Sequence, residues 1–388
     1  MKKGILIAYG ELFLKSEGVR KLFLQRLENN IKFFLNKEKI EFKLHIFRER
    51  IFIEMPINFI EVLAVRTDKQ RKNENKKIKK VFKILDNIFG IAWYSEVLQF
   101  SELKSLLAFD FQGQIKEKET FAIRMKKDRD VIGKVAKLIN RKVNLGKPKR
   151  ELFIEKRGEL YFLYFKKHKG AGGLPAGSAG KVLSMVSGGI DSVPAAYLSA
   201  KRGAENIWVH FHSFPLVSNK SIEKVKELAK VFEKYQKRVK IYFVPFQKAQ
   251  IEVKAKAPAG YRVLLYRRLM LQIAEKIAER EDCGALITGE SLGQVSSQTL
   301  FNMKITEEGV RMPVLRPLIG MDKEEIIKIA QKIGTFNISI KPQEDCCTLF
   351  VPKHQTAKGD LKTTKELEKK INVKSLVKEL TSLTTLLA

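Results

Sequence analysis

The stretch Val182-Leu183-Ser184-Met185-Val186-Ser187-Gly188-Gly189-Ile190-Asp191-Ser192-Val193-Pro194-Ala195-Ala196 decides the fold of the C-terminal half. Residues 182–186 form a short apolar run that reads as a buried strand, and 192–201 read as a helix. The Ser-Gly-Gly turn between them joins strand to helix directly. Gly188 and Gly189 are expected to adopt positive φ and let the backbone approach a bulky anion. Successive N–H groups at the start of a helix favour phosphate, and the hydroxyls of Ser187 and Ser192 add donors. Asp191 would repel bare phosphate, so its expected task is to hold Mg²⁺ bridging phosphate oxygens. The bland alternative makes Asp191 a helix N-cap only. The loop lacks the lysine of a Walker sequence, which disfavours an ordinary kinase or GTPase.

Strands and helices alternate beyond this loop. Strands are expected at 207–210, 241–244 and 285–288, and helices at 221–235 and 262–278. Such alternation argues for an α/β fold with a doubly wound parallel sheet, whose ligands sit at the carboxyl ends of the strands. Two further strand ends are polar: His210-Phe211-His212-Ser213, and the run from Thr288 through Gly289 and Gln298 to Thr299. Plain strand-end histidines are the alternative for the first. Upstream, the Gly- and Ala-rich run from Gly170 to Gly180 is the clearest domain junction.

The N-terminal half reads as two small α+β units. In the first, a strand over 4–9 precedes a helix with Val19, Leu22, Phe23, Leu27, Ile31 and Phe34 at helical spacing. A hairpin over 42–55 follows, turning at Arg48-Glu49. The second unit has strands expected at 91–97 and 120–125, helices at 101–109 and 131–139, and a hairpin around Arg157-Gly158. Basic residues crowd 66–80, and recur at Arg124, Lys126, Lys127, Arg129, Arg141, Lys142, Lys147, Lys149 and Arg150. The whole chain carries 74 Lys and Arg against 43 Asp and Glu, a formal net charge of +31. A thermophile-like surface would show abundant charge of both signs. An imbalance this large fits a polyanionic partner, with RNA the obvious one. No apolar run reaches the roughly 20 residues of a membrane span. The three cysteines, Cys283, Cys346 and Cys347, are no disulfide framework and fit a reducing cytoplasm.

The loop Ser187–Ser192 resembles the PP-loop of ATP pyrophosphatases. With Tyr9–Lys15, Gly172–Gly177, His210–His212, Leu286–Thr299, Arg316–Leu318, Asp322–Glu324 and Glu344–Cys347, the chain resembles the tRNA 4-thiouridine synthetase (ThiI) family over nearly all its length. The resemblance implies a ferredoxin-like domain at 1–65, a THUMP RNA-binding domain at 66–168 and a PP-loop domain at 169–388. It implies that ATP contacts Met185, Val186, His210, Phe211, Arg267, Gly289 and Gln298 besides the loop residues Ser187, Gly188, Gly189, Asp191 and Ser192. Uridine 8 of tRNA would be adenylated on its 4-carbonyl oxygen, and a persulfide sulfur would displace AMP. Lys323 matches a catalytic lysine of the family, and a cation near the α-phosphate would stabilise charge building there. Asp322 and Glu325 also spell a helix capping box, in which Lys323 would be a solvated first-turn residue. Cys346 matches the family's catalytic-domain cysteine and is the candidate sulfur carrier or resolver, since thiolate is the competent form. Cys283, beside a buried strand, reads as structural.

Many family members carry a C-terminal rhodanese domain with its own persulfide cysteine. Here the chain after Pro352 is short and Lys-rich, with a single helix expected over 364–380. The sulfur donor is therefore expected outside the chain, a cysteine desulfurase or other carrier, and a role in thiamin thiazole synthesis is not implied. Family analogy also implies a homodimer. The rival readings are another PP-loop tRNA-modifying enzyme such as a 2-thiouridylase, a non-catalytic tRNA-binding protein, and a THUMP-bearing RNA methyltransferase. The first leaves the basic N-terminal half unexplained, the second leaves Asp191, Lys323 and Cys346 without purpose, and the third lacks a methyl-donor motif.

Overall fold

A computed structural model describes residues 1–11, 16–56, 68–126, 128–342 and 356–387. The chain divides into two compact units, Met1–Leu174 and Pro175–Ala388, and the division falls inside the expected Gly/Ala-rich junction. Lys15, Arg66, Lys127, Cys346, Cys347 and Lys353 lie outside the described residues.

The first unit runs β1 (Lys2–Tyr9), α1 (Glu17–Lys37), β2 (Lys43–Phe47), β3 (Arg50–Glu54), α2 (Asp68–Leu85), β4 (Ile91–Phe100), α3 (Leu103–Leu107), β5 (Phe121–Arg124), α4 (Arg129–Lys137), β6 (Arg150–Arg157), β7 (Leu160–Tyr164) and β8 (His168–Lys169). The stretches expected as separate α+β units share one eight-stranded sheet, ordered β2-β3-β1-β4-β7-β6-β5 with β8 pairing β4. The joining strand is β4, which pairs antiparallel with β1 on one side and with β7 on the other. Alternation along β1 puts Ile5, Ile7 and Tyr9 with Leu27, Ile31 and Phe34 of α1 and Val81 and Leu85 of α2. Leu6 points to the other face, into a cluster with Phe52, Val97, Phe162 and Tyr164.

That second face is closed by curvature. Neighbouring strands lie about 4.8 Å apart, so β2 and β7, four strands apart, would be separated by about 19 Å in a flat sheet. Yet the rings of Phe47 and Phe162 are 5.5 Å apart, and those of Phe52 and Phe162 are 5.3 Å apart. The sheet therefore curls, and the β2/β3 hairpin meets the β6/β7 hairpin. Glu155 fastens the seam: it accepts from Arg50 Nε and Nη2 at 3.0 Å each, from Arg157 Nη2 at 2.9 Å and from Tyr164 Oη at 2.8 Å. Burial pushes its carboxyl up, but the Arg50 charge and these hydrogen bonds prevail, so its pKa falls below the usual value.

The second unit runs β9 (Lys181–Met185), α5 (Ser192–Lys201), β10 (Glu205–His212), α6 (Lys220–Phe232), β11 (Ile241–Pro245), α7 (Gln247–Lys256), α8 (Arg262–Arg280), β12 (Cys283–Ile287), α9 (Leu300–Glu307), β13 (Val314–Leu315), α10 (Lys323–Ile333), α11 (Phe336–Ser339), α12 (Leu361–Ile371), α13 (Val373–Ser382) and β14 (Thr385–Leu387). The sheet order is β13-β12-β9-β10-β11-β14. The first five of these strands are mutually parallel, as expected, whereas β14 adds an antiparallel edge against β11. Successive residues of β9 face opposite layers. Leu183 joins the core beneath α8, α12 and α13, and Val182 joins the one with Ala195 of α5 and Ile326 of α10. Helices thus cover both faces. The single C-terminal helix expected over 364–380 is two helices, because Asn372 takes the left-handed conformation at φ 55 and breaks the ladder.

Candidate functional site

The loop after β9 sits at the carboxyl end of the parallel sheet. Gly188 has φ 82, a conformation that favours glycine. Gly189 is not among the positive-φ glycines, which corrects the expectation that both would be. Its amide instead donates to Ser187 Oγ at 3.3 Å and tightens the turn. Helix α5 starts at Ser192, so the first-turn amides of Ser192 and Val193 have no intrahelical acceptor. Pro194, in that same turn, lacks an N–H and leaves no further donor orphaned. Ser192 Oγ is buried without a hydrogen-bond partner among the described residues. These donors suit an anion at this spot.

Asp191 occupies the N-cap position of α5 but makes no side-chain capping hydrogen bond. Its carboxylate is engaged elsewhere. Lys323 Nζ donates to Oδ1 at 2.5 Å, and Gln294 Nε2 donates to Oδ2 at 3.0 Å. Lys323 comes from a distant part of the chain, and two local features place it. Ile326 packs in the core that holds Ala195, which brings the start of α10 against the start of α5. The capping box at that start is real as well: Asp322 accepts from the Glu325 amide at 2.9 Å, and the Asp322 amide donates to Glu325 Oε2 at 3.1 Å. The cap fixes the first turn, and the first turn carries Lys323 to Asp191. The capping box and the contact of Lys323 with Asp191 are therefore compatible. The pair is partly open, with side-chain exposures of 43% for Lys323 and 20% for Asp191, so solvent weakens it and an anionic ligand has access.

The segment after β12 forms the next wall. A Cβ on Gly289 would stand 2.9 Å from the Ser192 amide and 3.0 Å from the Asp191 carbonyl carbon. Both are backbone atoms, so only glycine lets the end of β12 pass this close to the loop. Glu290 is buried, 4% exposed, between two guanidinium groups. Arg267 Nη2 donates to Oε1, Arg316 Nε donates to Oε2 at 2.6 Å, and Thr288 Oγ1 donates to Oε2 at 2.9 Å. Burial would raise the Glu290 carboxyl, but the two charges and the hydrogen bonds from Arg316 and Thr288 hold it below the usual carboxylate value. Arg267 also donates to Ser297 Oγ at 2.7 Å, and Arg316 Nη2 is buried without a partner among the described residues. Gln298 closes the loop, its Oε1 accepting from the Ser291 amide at 3.2 Å and its carbonyl from the Gly293 amide at 2.9 Å.

Met185, Val186, His210 and Phe211 lie at the ends of β9 and β10. Val186 and Phe211 are buried, and Phe211 makes an edge contact with Phe246. His210 is fully partnered, with Nδ1 2.7 Å from the Val186 carbonyl and Nε2 3.2 Å from Ser221 Oγ. Burial pushes its pKa down to about 4, so it is neutral. Nδ1–H then donates to Val186 and Nε2 accepts from Ser221, which pins the residue preceding the loop. These two bonds hold the backbone that leads into the loop. Cys283 is buried and its thiol is pushed up to about 12, chiefly by burial, in keeping with a structural role. Cys346 and Cys347 fall outside the described residues.

Glu290, Arg316 and Gln294 were not singled out as site residues from sequence. The available signal was weak: a charged residue directly after a strand-end glycine, and an arginine before Pro317. Among the described residues no group of three or more His, Cys, Asp or Glu could hold a metal. Asp191 remains a suitable single carboxylate for Mg²⁺, which is commonly held by one or two carboxylates together with substrate phosphates. No helix among the described residues is long and apolar enough to cross a membrane. Outside this site, the exposed Lys76, Lys77, Lys79 and Lys80 of α2, with Lys126, Arg129, Lys142, Lys147 and Lys149, give the first unit its basic surface.

Comparison with known proteins points the same way. A family model described as thiamine biosynthesis protein (ThiI) matches residues 177–373, and one described as the ThiI ferredoxin-like domain matches residues 4–69. A probable tRNA sulfurtransferase of Thermoanaerobacter sp. (strain X514) is 40% identical over 390 residues, spanning 97% of both chains. A probable tRNA sulfurtransferase of Caldanaerobacter subterraneus subsp. tengcongensis is 42% identical over 392 residues, again 97% of each. Among solved structures, a 4-thiouridine synthetase–RNA complex with bound ATP superposes with a TM-score of 0.84 at 30% identity, covering 100% of this chain and 99% of that one. PH1313 from Pyrococcus horikoshii Ot3 shares the fold, with a TM-score of 0.61 at 22% identity over 86% of this chain and 100% of the other.

Proposed function

The chain belongs to the ThiI family, and from that premise we propose that it is an ATP-dependent tRNA sulfurtransferase that makes 4-thiouridine. The substrate position is uridine 8. Its O4 is adenylated, with pyrophosphate leaving; the terminal sulfur of a persulfide then attacks C4 and AMP leaves, and a second thiolate cleaves the S–S bond to the carrier, forming a disulfide as 4-thiouridine is released. The observation that carries this reading is the meeting of Asp191 and Lys323 at 2.5 Å beside the loop of Ser187–Ser192. The pair is partly open to solvent, and pairs of that kind contribute only about 0–1 kcal/mol to stability.

In this reading the loop amides and Ser192 Oγ bind the phosphates, and the tight packing of Gly289 keeps loop and strand end in register. Lys323 faces the charge that builds at the α-phosphate. Asp191 orients Lys323 and supplies the carboxylate for Mg²⁺, which when bound neutralises phosphate charge. Arg267, held by Glu290 and Ser297, and Gln298 border the nucleotide. Cys346 relays the sulfur, and the donor is a separate cysteine desulfurase or comparable carrier. Cys283 does not substitute for it, because a thiol raised to about 12 is protonated at neutral pH. The division 1–65 ferredoxin-like, 66–168 THUMP and 169–388 PP-loop, a homodimeric assembly and a cytoplasmic setting complete the proposal. The basic surface of the first unit supplies phosphate contacts for tRNA.

The decisive experiment is mass analysis of tRNA nucleosides after incubation with ATP, Mg²⁺ and a sulfide source. The expected product is 4-thiouridine at position 8. Sulfur on another base, or none, would overturn the assignment.

A further inference from the structure

The second unit has a large groove far from the loop of Ser187–Ser192, and the reaction proposed above does not use it. The groove has a volume of about 1430 Å³ and lies between the C-terminal half of α8, the turn at Gly309–Arg311, and helices α12 and α13. Arg280, at its far end, is about 20 Å along α8 from Arg267, at about 1.5 Å per residue.

Both signs of charge line the groove, but the acids are already committed. Glu275 accepts from the backbone amides of Arg311 and Met312 at 2.6 and 2.8 Å. Glu368 accepts from Arg268 Nε and Nη2 at 2.8 and 2.9 Å, and Glu279 is paired with Lys276 at 2.8 Å. Arg280, Arg311, Lys369, Lys374 and Lys378 line the same concavity. All five are exposed, and none meets a carboxylate among the described residues. Lys374 and Lys378 stand four apart on α13, a like-charge spacing that weakens a helix locally. The break at Asn372 turns α13 so that these lysines share a groove with Lys369 at the end of α12. A merely solvated lysine face would sit on a convex surface with interspersed acids. Convergence of unpaired cations into a groove calls for a polyanion that fills it and releases counterions.

We propose that this groove is a second phosphate-backbone site for the RNA substrate, separate from the basic surface of the first unit. The inference rests on the reading that the substrate is tRNA. It assigns to the Lys-rich C-terminal helices a task that the chemistry at Asp191 and Lys323 leaves unfilled. Contacts here hold the backbone and carry no base specificity.

The test uses the full chain with Lys369, Lys374 and Lys378 all changed to Gln. A control chain carries Lys230→Gln, Lys328→Gln and Lys332→Gln, which remove the same charge elsewhere on the second unit. The affinity for tRNA is measured across a salt series, with ATP affinity alongside. The groove variant should show a log–log salt slope shallower by about 2–3 units, and binding at least about tenfold weaker near 0.1 M salt. Its ATP affinity should match that of the unchanged chain, and the control should retain the parental slope. An unchanged slope in the groove variant, or an equal loss in the control, would overturn the proposal. So would intact tRNA binding combined with loss of sulfur transfer from a desulfurase but not from free sulfide, which would assign the groove to a protein donor. If the unchanged chain thiolates no tRNA in the nucleoside assay, the functional reading fails first, and that failure is seen without any variant.

Discussion

Glu290→Gln tests the wall of the site most directly. The substitution keeps the shape of the side chain and removes one charge from between Arg267 and Arg316. Glu290 is 4% exposed, so water cannot replace what is lost; Arg267 loses its ion pair, and Arg316 keeps only Glu307, whose Oε2 lies 2.7 Å from its Nη1. Breaking a buried pair from one side costs about 3–5 kcal/mol. For a unit of this size, about 2–4 °C of Tm accompanies each kcal/mol, so a fall of roughly 6–20 °C is expected. Denaturant titration and thermal unfolding of the whole chain would measure it, followed by a fluorescence signal from Trp208 in the core of the second unit. The pH dependence supplies a second readout. The folded pKa of Glu290 is lowered, so its contribution is full above the unfolded value, 4.5, and is lost as pH falls through the folded value. The acid limb of the stability curve should therefore be shallower in the variant. A loss below about 1 kcal/mol with an unchanged acid limb would place Glu290 in the class of solvated surface pairs and refute the argument.

Asp191→Asn should lower the rate of 4-thiouridine formation by about 10²–10³-fold, the scale of losing one charge-stabilising group, while shifting stability by less than about 1 kcal/mol. Parallel nucleoside analysis and thermal unfolding separate the two effects, and a stability loss matching the activity loss would contradict the assignment. Gly289→Ala forces a Cβ to 2.9 Å from the Ser192 amide and should cost about 1–3 kcal/mol together with nucleotide affinity. Calorimetric titration with ATP checks it, and wild-type affinity would show that the loop does not depend on this contact. His210 has a folded pKa of about 4 against 6.5 unfolded, so the unfolded chain binds the extra proton first and stability falls as pH drops from about 6.5 to about 4. His210→Gln should flatten that decline by up to about 3 kcal/mol, on the scale of 1.36 kcal/mol per pKa unit. An identical pH profile in the variant would mean that His210 is not held neutral in the fold.

The parts of this protein legible in its sequence are those set by neighbours along the chain. An apolar run ending in Ser-Gly-Gly gave β9, the turn and α5, because strand burial, glycine φ and helix start are local properties. The alternation of strands with helices beyond that turn implied a parallel sheet with helices on both faces, and the Gly/Ala-rich run marked the division at Leu174 and Pro175. The capping box at Asp322 and Glu325 was equally visible. Less visible were features in which a local choice is overruled. Asn372 breaks what reads as one amphipathic helix, and Gly189 keeps an ordinary φ because Ser187 Oγ holds its amide.

Tertiary packing alone decided what depends on residues far apart in the chain. Lys323 reaches Asp191 because Ile326 and Ala195 share a core, and no local pattern encodes that encounter. Glu290 became the hub of Arg267 and Arg316 only when β12, α8 and the end of β13 converged, since opposite charges find partners by proximity in space. The pairing of β4 with β1 on one edge and β7 on the other joined the two expected α+β stretches in one sheet, and the curl of that sheet seats Phe47 against Phe162. Composition set the net charge of +31, but the fold chose which cations would share a groove whose acids are bonded to other partners.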